Sequence, residues 1–214
     1  MAHVLVMGAT QGIGLAAVEA ALAAGHRVRA MARRIERLGI EHEALEPHAG
    51  DALDPAAVAA ALDGVDAVIY ALGVAINRET VFGDVDFFSR TTAVLLEAMA
   101  AKGVRRLILV TGFGAGDSRA AMSALERLGH GAVLGRIYAD KGRQEALVKA
   151  SDTDWTIARP VILTNWKASG SYKVLETADT WRNGLVSRAD TADYLVRCLD
   201  DPTTIGKEPV LVRG

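Results

Sequence analysis

Short apolar runs alternate with longer Ala- and Leu-rich stretches along nearly the whole chain. Val4, Leu5, Val6 and Met7 form an unbroken run, the pattern of a strand buried on both faces. Residues 13–24 read as a helix closed by Gly25. Residues 27–32 predict a second strand and residues 44–49 a third. Asp54 and Pro55 supply an N-cap and a proline at the first helical position, and Gly64 ends that helix. Residues 66–70 predict a fourth strand. The next helix is expected to be the longest, because Val85, Phe88, Thr92, Leu95 and Met99 recur at three- and four-residue steps. Residues 107–110 follow as a fifth strand, 139–150 as a helix and 155–158 as a sixth strand. Ser187 to Asp190 resembles a capping box, with Asp for the usual Glu, opening a helix that runs to Leu199. Residues 209–212 predict a last strand.

This alternation predicts an α/β fold: a doubly wound parallel sheet of about seven strands in a three-layer α/β/α sandwich. No repeat, linker or low-complexity tract divides the chain, so residues 1–214 are expected to form one domain. Residues 111–137 and 163–186 are the least explained by the rhythm. Both follow strand ends on the side where doubly wound sheets bind ligands, so they are expected to be small substrate loops.

Composition narrows the partners. The 24 Lys and Arg nearly balance 26 Asp and Glu, which removes the basic excess that nucleic acid or an anionic membrane calls for. One Cys excludes an internal disulfide or a multi-cysteine metal site. No apolar run approaches the ~20 residues of a membrane span, and no secretory signal pattern opens the chain. The expectation is a cytoplasmic protein acting on a small molecule, without nucleic acid or membrane partners, as a monomer or homodimer. His3, His26, His42, His48 and His130 show no ligand spacing, so no metal is expected.

The chemistry begins directly after the first strand. Gly8, Ala9, Thr10, Gln11, Gly12, Ile13 and Gly14 lead into the first helix. Bare backbone at a helix N-terminus lets a pyrophosphate approach the N–H groups, and missing side chains let helix and strand pack closely. In this β-turn-α context the loop predicts dinucleotide binding; no Walker lysine follows it. At the end of the second strand, where an NAD site carries an acid for the ribose 2′-hydroxyl, stand Arg33 and Arg34. Cations there suit a 2′-phosphate, so NADP(H) is the expected cofactor, with NAD(H) as the lesser alternative. Arg33 is expected to be the main contact.

Glycines spaced G-x-x-x-G-x-G resemble the short-chain dehydrogenase/reductase superfamily. Asp154-Trp155-Thr156-Ile157-Ala158-Arg159-Pro160, followed by Leu163-Thr164-Asn165, and the loop from Leu109 to Ser118 are similar to its atypical NAD(P)H-binding members. Those include the biliverdin reductase B/flavin reductase-like and NmrA-like proteins. The resemblance implies cofactor contacts from Gly8, Thr10, Gln11, Gly12, Ile13 and Gly14, and from Asp51 and Ala52 beside the adenine. It further implies Ala71, Leu72 and Gly73 at the adenosine ribose, and Thr111, Gly112, Lys141, Pro160, Val161 and Ile162 toward the nicotinamide.

The family's Tyr-x-x-x-Lys pair is replaced by Tyr138-Ala139-Asp140-Lys141, one residue shorter. Tyr138 is a candidate proton donor, although it can fall in the turn before its helix. Lys141 is a candidate ribose contact, and Thr111 takes roughly the slot of the family's Ser. Phe113, Trp166, Tyr172 and Trp181 are candidate walls for a planar substrate. Phe87 and Phe88 read as core and rim of the long helix, and Cys198 as a small buried hydrophobe.

Carbonyl reduction needs a placed proton donor, whereas flavins, quinones and bilins give delocalised anions that take a proton from solvent. The altered pair therefore points to an oxidoreductase passing hydride from NADPH to a small planar acceptor such as a flavin, quinone or related carbonyl. Two alternatives stay open: a non-catalytic NADP(H) sensor of the NmrA-like type, and a nucleotide-sugar epimerase/dehydratase, for which the length leaves little room.

Overall fold

Strand β1 (His3–Met7) is buried along its whole length. Its alternate side chains enter two separate cores, as the two-residue period of a strand requires. In the computed structural model, which describes residues 1–74 and 85–214 and all their side chains except 130, 132 and 133, Val4 and Val6 meet helix α1 (Gly12–Ala23). Leu5 and Met7 enter the opposite core with Val68, Leu95 and Leu107. The expectation for His130 falls on a side chain outside the described set.

β1 pairs in parallel with β2 (Arg27–Ala32) on one side and β4 (Ala67–Tyr70) on the other. β3 (Leu45–Ala49) extends one edge; β5 (Arg106–Val110) and β6 (Asp154–Pro160) extend the other. β7 (Ile162–Thr164) leaves the sheet, β8 (Tyr172–Leu175) returns as an antiparallel edge, and β9 (Leu185–Ser187) pairs with β7. β10 (Val210–Arg213) lies between β6 and β8. The order β3-β2-β1-β4-β5-β6-β10-β8 has the expected parallel strands plus one antiparallel edge strand that sequence reading placed in a loop.

The helices cover both faces. α2 (Pro55–Ala61) is capped by Asp54, whose carboxylate accepts from the Ala56 N–H at 2.9 Å. α3 (Phe87–Lys102) ends at Gly103 in the left-handed region. α4 (Ala124–Lys149) is the longest helix described, which corrects two expectations at once. α3 is not the longest, and most of residues 111–137 is not loop. Ser123 and Glu126 form a reciprocal capping box that starts α4 fifteen residues earlier than the expected residue 139. α5 (Arg188–Asp200) starts as expected, with Ser187 accepting from the Asp190 N–H at 2.8 Å.

Candidate functional site

A cleft of about 920 Å³ runs across the carboxyl ends of β1, β2, β4, β5 and β6. Its floor at the β1 end is the glycine turn. Gly8 has φ +86°, and a Cβ there would lie 2.7 Å from the Ala71 carbonyl oxygen. A Cβ on Gly14 would overlap the Gly8 carbonyl oxygen, so this glycine sets the closeness of helix and strand. Gly12 has φ +62° and opens the first turn of α1, which carries neither a capping side chain nor an acid. The orphan N–H groups and positive dipole end there face the cleft unopposed. Gly12 also faces a cation: a Cβ on it would sit 3.9 Å from Arg188 Nε. Arg188 is held by a 2.7 Å hydrogen bond from its guanidinium to Asn165, and both residues line the cleft.

At the β2 end the wall turns basic. Arg33, Arg34 and Arg37 line it with exposed side chains. Gly50 allows the β3 end to approach, since a Cβ there would press to 2.7 Å from Met31 Cε. Asp51 is on the same wall, with one carboxylate oxygen already accepting from the Leu53 N–H at 3.0 Å.

The opposite end is built by α3 and α4. Tyr138 is inside α4, not in a turn before it, and lies on one face with Lys141. The Tyr138 phenol packs on Gly112, where a Cβ would come 2.7 Å from Tyr138 Oη. Burial pushes that phenol above its ordinary range. Lys141 donates to the Thr111 carbonyl at 2.6 Å and sits 4.9 Å over the Phe88 ring. Burial pulls its ammonium down to about 8, with the negative charge of Glu145 opposing the fall.

Behind this end lies a polar network. Thr111 Oγ1 donates to Glu145 at 2.6 Å, and Arg159 holds the same carboxylate with bonds of 3.1 and 2.6 Å. Arg159 also meets Glu208 at 2.6 Å, and both Glu145 and Arg159 are shut from solvent. A buried pair of this kind is tolerated because nearly every donor and acceptor is matched. It fixes the Thr111 hydroxyl: the proton is committed to Glu145, and the oxygen lone pairs remain for a donor in the cleft. On the neighbouring side, Asp140 accepts from the Phe88 N–H at 2.7 Å and the Ser89 hydroxyl at 2.5 Å. A carboxylate from α4 thereby caps α3, whose own Asp86 makes no side-chain cap.

Most of the expected cofactor residues share this cleft: Gly8, Thr10, Gln11, Gly12, Ile13, Arg33, Arg34, Asp51, Ala52, Ala71, Leu72, Gly73, Thr111, Lys141, Pro160 and Val161. Gly14 and Gly112 act through close packing instead, and Ile162 points outward in β7 with 58% exposure. The expected aromatic wall is a correction, since none of its members lines the cleft. Phe113 is buried with Met122, Val161 and Val186. Tyr172 donates to Asp193 at 2.7 Å on the antiparallel edge. Trp181 donates to the Leu175 carbonyl and covers Arg159, and half-exposed Trp166 faces Arg213. β8 and β9 fold that segment against the β10 side of the sheet. Among the described residues, the aromatics on the cleft are Phe87, Phe88 and Tyr138. Sequence reading missed Arg188, Glu145 and Asp140; only Arg188 had a local signal, as the first residue after a capping Ser.

A family model for NAD(P)H-binding proteins matches residues 8–202. Among curated proteins none matches the sequence. The ChuY protein of Escherichia coli CFT073 is similar in structure, with TM-score 0.80, 24% identity and coverage of 100% of this chain and 97% of that one. ChuY of Escherichia coli O157:H7, an anaerobillin reductase, gives TM-score 0.78 at 24% identity, covering 99% and 97%. A short-chain dehydrogenase/reductase from Veillonella parvula in complex with NADP gives 0.81 at 19%, covering 99% and 94%. At such identities the likeness speaks for the fold.

Proposed function

The chain belongs to the NAD(P)H-binding family, and from that membership and the make-up of its cleft we propose that it is an NADPH-dependent reductase of small planar acceptors. A dinucleotide suits the residues present. The glycine turn leaves a cradle that side chains would fill, and the uncapped first turn of α1 offers N–H groups to a diphosphate. Arg33 pairs with the 2′-phosphate, with Arg34 as the secondary contact. Asp51 and Ala52 border the adenine, and Ala71 to Gly73 the adenosine ribose. Bound reduced nicotinamide supplies a hydride, which carries both electrons to the acceptor.

The chain's own work at that end is positioning and exclusion of water. Lys141, steadied by the Thr111 carbonyl, holds the nicotinamide ribose. Thr111 Oγ1 accepts from a donor in the cleft because its own proton is committed to Glu145. Phe87, Phe88 and Ile137 give an apolar wall beside the reacting plane. Tyr138 stays protonated at neutral pH and donates a hydrogen bond to the acceptor; the proton that completes reduction of a flavin or quinone comes from solvent.

The observation that carries this reading is the continuity of one cleft from the bare turn and its arginines to the Tyr138–Lys141 pair. The test is NADPH oxidation followed optically with FMN, a small quinone and a redox dye. Steady consumption, faster with NADPH than NADH, is expected. Tight NADPH binding with no turnover on any acceptor would sink the reductase reading and favour a cofactor sensor.

A further inference from the structure

A smaller cavity of about 140 Å³ opens beside the cleft, between the turn that follows β5 and the outer part of α4. Arg119 and Arg127 line it, with Met122, Tyr138, Gly131 and Gly135. Tyr138 lines the large cleft as well, so the two spaces share a wall. Among the described residues, no carboxylate lines the cavity. Neither guanidinium has an ion-pair or hydrogen-bond partner among the described residues. The acids of the surrounding segments are engaged elsewhere. Glu145 is held by Arg159 and Thr111, Asp117 by Lys149, and Glu126 by the Ser123 cap and Asn183.

The helix keeps this space open at its own expense. Gly131 and Gly135 are four residues apart on one face of α4, where glycine is a poorer helix former than alanine. A Cβ on either would meet nothing within 4 Å, so close packing is not what calls for them. Two guanidiniums without partners among the described residues, lining one cavity beside a bare helix face, suit a phosphate or carboxylate.

We propose that this cavity receives an oxyanion arm of the acceptor, while the acceptor's ring lies in the large cleft across Tyr138. The inference rests on the reductase reading for what the arm is attached to, and makes the preferred substrate class planar and anionic. Arg119 and Arg127 then select among acceptors without contacting the reacting atoms.

FMN and riboflavin provide the test, because they share one ring and differ by a phosphate. Binding of each to the NADP⁺-loaded protein is measured by flavin fluorescence, and turnover is measured separately. Wild type is expected to bind FMN about tenfold more tightly than riboflavin, a factor in the range of charge-assisted contacts. That ratio should shrink at high salt and fall close to one in the Arg119→Ala/Arg127→Ala double variant. Gly131→Leu, which fills the cavity and leaves both arginines in place, should erase it too. Equal affinities in wild type, no FMN binding, or an FMN advantage that survives the double variant would overturn the proposal. If the binding ratio behaves as expected and neither flavin, nor the quinone, nor the dye is reduced, the reductase reading fails and the oxyanion subsite stands.

Discussion

Two arginines on one cleft are proposed to have separable jobs, because their surroundings differ. Arg33 is on the basic wall at the end of β2, whereas Arg188 faces Gly12 at the start of α1, where the diphosphate is proposed to lie. A charge-assisted contact contributes about 1.5–3 kcal/mol, or roughly ten- to a hundredfold in affinity. Arg33→Ala should therefore weaken NADPH by about that factor and leave NADH within about twofold. Arg188→Ala should weaken both cofactors alike, since both carry the diphosphate. Isothermal titration of four protein–cofactor pairs decides it, and an unchanged NADPH/NADH ratio in Arg33→Ala would remove the 2′-phosphate assignment. Lys141 gives a pH signature. Its ammonium is lowered to about 8, so the cation proposed to hold the ribose is present below that pH and lost above it. NADPH affinity should fall as pH rises through a midpoint at or above about 8, because a bound anion favours the charged form. Lys141→Arg should remove that limb by keeping its charge. For stability the sign is opposite: the folded state binds fewer protons than the unfolded state between about 8 and the ordinary lysine range, so this residue's burial penalty is relieved as pH climbs.

Elements fix these side chains through contacts that run between segments far apart in the chain. Asp140 of α4 caps α3, so the helix that carries Phe88 and the helix that carries Tyr138 and Lys141 are locked at the cleft. Asp140→Ala should cost about 2–3 kcal/mol, the penalty for stranding buried donors, read as a lower urea midpoint. Ser123→Ala should cost about 1 kcal/mol and raise hydrogen exchange in the outer half of α4 more than in its inner half. These two cases also show what the sequence reveals and what it hides. The glycine turn and the Asp54–Pro55 start were legible because each signal is local and each residue type has one physical use there. The outer half of α4 was not. Gly129, Gly131 and Gly135 each cost a helix about 1 kcal/mol relative to alanine and mask its period, while the Ser123–Glu126 box that starts it went unread. The structural roles of Glu145, Asp140 and Arg159 could not be read either, although Arg159 stands in the Asp154–Pro160 motif, because those roles depend on partners brought by other elements. The aromatics after β6 misled for the same reason: tryptophan and tyrosine suit a substrate wall and a sheet edge equally well.

At the scale of the whole molecule, the parallel strands all deliver their carboxyl ends to one side, so the cleft exists only when the entire sheet is assembled. Cofactor therefore binds the native state alone, and its binding free energy adds to global stability. At a hundred times its dissociation constant this contributes about 2.7 kcal/mol. For a chain of 214 residues that raises Tm by roughly 5–10 °C. NADPH should reach the shift at lower concentration than NADH if the basic wall reads the 2′-phosphate. Gly12→Ala separates cofactor binding from fold. The position has φ +62° and a Cβ there would make only an ordinary contact, 3.9 Å from Arg188 Nε, so alanine costs about 1–2 kcal/mol of backbone strain and leaves the core packing alone. Its methyl group instead occupies the approach to the α1 N-terminus. The variant should melt as a folded protein, modestly below wild type, and show little shift with either cofactor. A full NADPH shift in Gly12→Ala would mean that the diphosphate lies elsewhere in the cleft, and the proposed orientation with the nicotinamide beside Lys141 and Tyr138 would fall with it.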